Sequence, residues 1–259
     1  MKSIIIFYSI TFLAGIIALP LDGSGQADNE IQVYASPTIG HKRTIFELHN
    51  NYTFNGPKNL VNPADFRFTN HTLEITHGLG DDFEIGFYTF TSISNDGRFQ
   101  YLGNQIRPRV TVPKKWGWKF GASLSMEIGF FRPGTGLPFR TQGELRPIVD
   151  RTWGKFYVAI NPNIDFVLSG TGKEVGISPQ AKVVYTIGGK FGLGVEYYSG
   201  LGTFSKLSPM SQQEHLIGPI FDLYTNPDWE LQTGFLFGLT QGSNQQLFKL
   251  LVGRRIKWK

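Results

Sequence analysis

Residues 118–130 alternate in character without a break. Every even position is apolar (Trp118, Phe120, Ala122, Leu124, Met126, Ile128, Phe130), and the positions between are Lys119, Gly121, Ser123, Ser125, Glu127 and Gly129. A period of two is the signature of a β-strand with one apolar and one polar face. The run is longer than the usual strand of a soluble domain, which has about 5–6 residues. A strand tilted across a bilayer needs roughly 9–11 residues. In a soluble sandwich the apolar face points to a core. In a membrane barrel it points to lipid, with the polar face lining the lumen. One strand cannot decide between these.

The start of the chain favours the second. Met1-Lys2 is a basic head, residues 3–19 are apolar apart from Ser3, Ser9 and Thr11, and small residues stand at Gly25 and Ala27. These features predict an export signal over 1–27, cleaved after Ala27, and a mature chain over 28–259 with a periplasmic lead-in at 28–42. The chain has no cysteine, which excludes disulfides and lipidation of an N-terminal cysteine. No later segment is a continuous apolar run long enough for a spanning helix. The mean hydropathy of −0.14 looks soluble only because alternation averages the two faces.

Alternation predicts strands at 43–54, 68–79, 83–94, 104–113, 117–131, 143–150, 154–168, 176–187, 190–198, 215–224, 229–239 and 246–258. The expected fold is therefore all-β, a transmembrane antiparallel up-and-down barrel of about twelve strands. Predicted connections alternate in length. Long ones fall at 55–67, 95–103, 132–142, 169–175, 199–214 and 240–245, short ones at 80–82, 114–116, 151–153, 188–189 and 225–228. Long outer loops and short periplasmic turns are characteristic of outer-membrane barrels. Trp116, Trp118, Trp153, Trp229 and Trp258 lie at or beside the predicted short-turn ends, forming a rim of aromatics where an indole sits well at headgroup level. Ile106-Arg107-Pro108-Arg109-Val110 is echoed by Leu145-Arg146-Pro147-Ile148-Val149. Proline cannot donate to a ladder, so Pro108 and Pro147 predict bulges or strand starts.

With the apolar faces outward, the lumen receives Glu47, His49, Arg107, Arg109, Lys119, Glu127, Arg146, Asp150, Asp165, Lys182, Glu196, Glu230 and Lys249. Both signs are present, so an internal salt-bridge network is expected, which can also act as a charged constriction that filters solutes.

Glu30-Ile31-Gln32-Val33-Tyr34, Leu48-His49-Asn50-Asn51-Tyr52-Thr53, Glu144-Leu145-Arg146-Pro147-Ile148, Gly234-Phe235-Leu236-Phe237-Gly238-Leu239-Thr240 and Leu251-Val252-Gly253-Arg254-Arg255 resemble segments of a family of uncharacterised Gram-negative outer-membrane barrels. Some of its members are labelled phenol-degradation-pathway or transporter-like proteins. The resemblance covers most of the mature chain and rests on structural motifs. It implies the bacterial outer membrane as location, with outer-membrane lipid and lipopolysaccharide, the barrel-assembly machinery during biogenesis and a small solute as partners. The chain departs from many such barrels at its end, where Lys259 follows Trp258.

The expected function is a channel or transporter-like barrel for small molecules. The alternative is a non-conducting barrel whose outer loops bind a ligand, a partner or lipopolysaccharide. A lipid hydrolase is a third reading, because some barrels carry a Ser–His pair on the outer wall. His71 and His77 fall on that face, but no serine motif stands beside either. No enzyme activity is therefore expected. No His/Glu spacing resembles a zinc site, and Ser169–Glu174 lacks the glycine and hydroxyl of a phosphate loop, so no metal and no cofactor are expected. The basic residues are scattered, which argues against nucleic acid despite a net charge of +5.

Overall fold

The computed structural model describes residues 29–59, 67–132, 138–169 and 174–259. The expected signal segment 1–27 lies outside the described residues. Twelve strands form among the described residues: β1 Arg43–Asn55, β2 Phe68–Gly78, β3 Phe83–Ser94, β4 Phe99–Thr111, β5 Gly121–Phe131, β6 Arg140–Trp153, β7 Phe156–Val167, β8 Val175–Ile187, β9 Phe191–Gly200, β10 Glu214–Leu223, β11 Trp229–Gly238 and β12 Gln246–Lys257. Each pairs antiparallel with its sequence neighbours, and β1 pairs with β12 from Arg43↔Lys257 to Asn55↔Gln246. The sheet is a closed barrel. Closure gives every strand two ladder partners and leaves no edge, the condition for crossing lipid with strands.

The alternation sorts as the sequence predicts. Leu48, Leu73, Phe87, Ile106, Leu124, Ile160, Val183 and Leu193 are 42–51% exposed on the outer face. Their neighbours Glu47, Glu74, Tyr88, Arg107, Ser125, Asn161 and Glu196 are buried inside.

Several local expectations are corrected. Strand β5 begins at Gly121, not at 117. A 3-10 turn at Lys114–Trp116 closes on Gly117 at φ 70°, a left-handed conformation that glycine adopts without strain, and delays entry into the sheet. Lys119 therefore stays exposed before the strand and does not line the lumen. The β3–β4 connection, expected to be long, is only 95–98, because β4 extends back to Phe99 by pairing with Ile93 across a register shift at Phe90/Thr91. The β4–β5 connection, expected to be short, spans 112–120. Pro108 and Pro147 sit inside β4 and β6 without a register shift. Each falls where pairing to one neighbour lapses, between Ile106 and Arg109 toward β5 and between Leu145 and Val149 toward β7. A gap in the ladder thus takes the place of the expected bulge.

The segment expected as a periplasmic lead-in, 28–42, runs inside the barrel from Asn29 to Ile39. Ile31, Val33 and Tyr34 are at most 5% exposed. The segment rises from the rim at the start of β1, where the Gly40 carbonyl accepts from the Arg43 amide. At Asn29 its carbonyl accepts from Asn51 Nδ2 (3.2 Å) and Thr72 Oγ1 (2.7 Å), toward the far ends of β1 and β2.

Candidate functional site

An extended segment that joins no ladder must satisfy its backbone some other way. Here the lumenal side chains do so. Asn161 on β7 accepts from the Tyr34 amide (2.7 Å) and donates to the Tyr34 carbonyl (3.1 Å), imitating a strand partner. Arg109 on β4 donates to the Ala35 and Pro37 carbonyls (3.1 and 2.9 Å). Asp150 on β6 accepts from the Ser36 amide (2.6 Å) and hydroxyl (2.9 Å), and Glu84 on β3 accepts from the Ile39 amide (2.7 Å). The backbone groups of the buried Tyr34 and Ser36 would go unsatisfied if their wall partners were apolar.

Alternation within the segment sorts its side chains as well. Ile31 and Val33 pack with Ala159, Tyr198, Leu216, Leu236 and Leu247, so β7 and β9–β12 present an apolar patch inward. That burial stabilises the seated segment by about 1.5–3 kcal/mol per aliphatic side chain. Tyr34 points into the charged half. The guanidiniums of Arg107, Arg109 and Arg146 lie 5.0, 5.8 and 4.4 Å from its ring centroid, within cation–π range. The two Arg-Pro motifs thus converge on one tyrosine from β4 and β6.

Ion pairs tie this half together. Arg107 bonds Glu74 and Glu84 (3.2 Å to the latter), Arg109 meets Glu84 (2.7 Å), and Arg146 meets Glu127 (3.3 Å), Glu144 (2.5 Å) and Glu30 (3.9 Å). On the opposite wall Lys249 bonds Glu196 (2.6 Å), Gln232 (2.6 Å) and Tyr198 (3.1 Å), while Lys182 lies 3.6 Å from Glu196. Arg255 pairs with Glu230. Among the residues predicted to line the lumen, Glu47, His49, Arg107, Arg109, Glu127, Arg146, Asp150, Glu196 and Lys249 are buried, and Asp165, Lys182 and Glu230 are partly buried. Asp165 bonds Ser178. Lys119 alone in that set is exposed. Trp116, Trp118, Trp153, Trp229 and Trp258 are all exposed at the short-turn end, 49–59% each.

The residues that sequence reasoning missed are Glu30, Ile31, Val33, Tyr34 and Ser36 on the segment, and Tyr88, Phe90, Leu102 and Phe131, an inward aromatic and aliphatic cluster on β3–β5. The period-2 pattern of Glu30–Tyr34 was the available signal, but it is too short to indicate a wall strand. On the outer wall His71 bonds Asn50 (2.7 Å) and His77 bonds the Thr44 hydroxyl (2.8 Å).

At Gly121 the segment lies close against the wall. A Cβ there would overlap Ser36 Oγ and Asp150 Oδ1. Gly121→Val is expected to unseat residues 34–38 while the barrel still folds. Limited proteolysis should then cut the variant within 29–42 at least about tenfold faster than wild type, since cleavage follows the population of the open form. Equal rates would show that the segment is not held there.

No family model matches the chain, and no curated protein is similar to it. Among solved structures, the COG4313 outer membrane channel from Pseudomonas putida F1 superposes with a TM-score of 0.62 at 12% identity, covering 88% of this chain and 100% of that one. The fold is that of an outer-membrane barrel. The NanC porin superposes with a TM-score of 0.56 at 10% identity, covering 83% of this chain and 100% of its own. At these identities the likeness is one of architecture, and it extends over both channel proteins entirely.

Proposed function

We propose that this chain is a bacterial outer-membrane channel for small solutes, and that its N-terminal segment sets what passes. The observation that carries the reading is how the segment is held. It lies in the lumen and is fixed by side chains from β3, β4, β6 and β7, not by ladder pairing. Such a segment can leave or shift without breaking the sheet. The charged walls beside it form a filter for solutes. The resemblance to barrels labelled phenol-degradation-pathway and transporter-like supports a small organic cargo. Under this reading residues 1–27 are an export signal, lipid and lipopolysaccharide surround the outer face, and the assembly machinery inserts the chain. Purified protein in planar bilayers should show discrete current steps; their absence for every salt and small solute tried would remove the channel reading.

The membrane placement has its own test. Met126 stands midway along β5 on the outer face. Met126→Arg should lower folding stability in lipid vesicles by about 2–4 kcal/mol, the cost of arginine at the bilayer midplane. A change near zero would mean that this face does not contact hydrocarbon.

One observation favours a second reading. The β9–β10 loop is braced by an isolated bridge, Gly202↔Leu207, and presents Phe204, Leu207 and Met210 at 56–66% exposure. Apolar side chains on a braced outer loop suit binding of a partner or lipid. Loss of binding to lipopolysaccharide vesicles in a Phe204→Ser/Met210→Ser variant, with conductance unchanged, would favour that reading.

A further inference from the structure

Glu30 on the N-terminal segment, His49 on β1 and Glu74 on β2 come together inside the barrel. One ligand-capable atom from each lies within 4.8 Å of the others, and all three residues are at most 1% exposed. Their spacing in the chain forms no motif, so only the fold brings them together.

Three features of this cluster are poorly explained by the protein atoms alone. First, neither ring nitrogen of His49 has a hydrogen-bond partner among the described residues, although the ring is buried. Its Nε2 lies 3.5 Å from Glu74 Oε2, beyond the usual N–H···O range of about 2.7–3.2 Å. Tetrahedral ligands bound at about 2.0–2.1 Å stand about 3.4 Å apart, so this separation fits two ligands of a shared cation. Second, the Tyr34 hydroxyl carries one proton, yet it touches both Glu30 and Glu74 (3.1 Å to the latter). Third, the ion pairs around Tyr34 join five carboxylates, Glu30, Glu74, Glu84, Glu127 and Glu144, to three guanidiniums, Arg107, Arg109 and Arg146. With His49 neutral and all five carboxylates ionised, two negative charges are left over, the charge of one divalent cation.

We propose that Glu30, His49 and Glu74 bind one divalent transition-metal ion of the zinc class, tying the N-terminal segment to β1 and β2. An imidazole with two carboxylates suits zinc and its neighbours in the first transition row better than calcium, which prefers six to eight oxygens. Arg107 and Thr76 occupy Glu74 Oε1, so Oε2 is the oxygen turned to His49. Two protonated carboxyl groups are the competing way to balance the charge, and they need no metal.

The test uses the folded full-length barrel in detergent, stripped with EDTA, loaded with zinc and desalted. Metal content is read by mass spectrometry, and folding by the heat-dependent mobility of the barrel on gels. Metal content reads the site whether or not the barrel conducts. The expected result is one zinc per chain and a raised unfolding temperature. His49→Ala and Glu30→Gln should each weaken zinc binding by about tenfold or more while still migrating as folded barrels. Should His49→Ala fail to fold, Glu30→Gln decides, since it keeps the size of that side chain and leaves all twelve strands unchanged. Wild type that retains no zinc, variants that retain as much as wild type, or displacement of the zinc by equimolar calcium would each overturn the proposal.

Discussion

Deleting residues 28–39 is expected to raise single-channel conductance by about tenfold or more, because the removed segment occupies the lumen beside the charged walls. The wall itself should survive. None of its twelve strands draws a ladder partner from the segment, and the closing β1–β12 pairing starts at Arg43. The deletion nevertheless uncovers Leu216, Leu236 and Leu247 and leaves Asn161, Asp150 and Glu84 without their backbone partners. Water can replace those hydrogen bonds in an opened lumen, so stability should fall modestly while current rises. Planar-bilayer recordings of the deleted and intact proteins check this. Equal conductance would mean that the segment does not restrict passage.

The second large effect concerns Arg107. Its guanidinium is 2% exposed, bonds Glu74, Glu84 and Thr76 (2.9 Å to the last) and lies 5.6 Å from the Tyr88 ring as well as near Tyr34. Arg107→Met removes one charge and leaves two buried carboxylates short of a partner. Removing one member of a buried pair costs about 3–5 kcal/mol. Urea unfolding in lipid vesicles, followed by tryptophan fluorescence, should show a loss of that size. Adding Glu74→Gln should restore part of it, because the second change neutralises a stranded charge. A loss below about 1 kcal/mol would indicate that the charges are solvated and the lumen wetter than described.

The wall was legible because lipid and lumen impose opposite demands at every second residue. Strands β1, β3 and β12 follow the predicted ranges to within a residue. The ends were less legible where the backbone, not the side-chain pattern, decides. Trp118 and Phe120 continue the alternation of β5, yet Gly117 holds the chain out of the sheet until Gly121. Ladder gaps at Pro108 and Pro147 were hidden for the same reason: a missing donor can be left unpaired in register, and sequence cannot distinguish that from a bulge.

The lumen was legible only as a set of charges. Arg107, Arg109 and Arg146 are buried within the barrel, but nothing in their spacing says that they surround Tyr34. Leu216, Leu236 and Leu247 are inward and apolar, contrary to a uniformly polar lumen, because Ile31 and Val33 cover them. Those contacts join residues more than a hundred positions apart, and such pairings exist only once the barrel has closed. The Glu30–Tyr34 motif was visible as alternation and as a family resemblance, yet its place inside the wall was not.

The seating of the N-terminal segment is the central claim, and a cross-link tests it most directly. The chain has no cysteine, so a pair can be introduced against a clean background. Ser36 Oγ stands 2.9 Å from Asp150 Oδ1, which brings a Ser36→Cys and Asp150→Cys pair within bridging range. In the double variant, folded in membranes, mild oxidation should form the disulfide in most molecules, and bilayer conductance should stay at the wild-type level. No cross-link, or a high conductance with the cross-link in place, would contradict a barrel restricted by its own N-terminal segment.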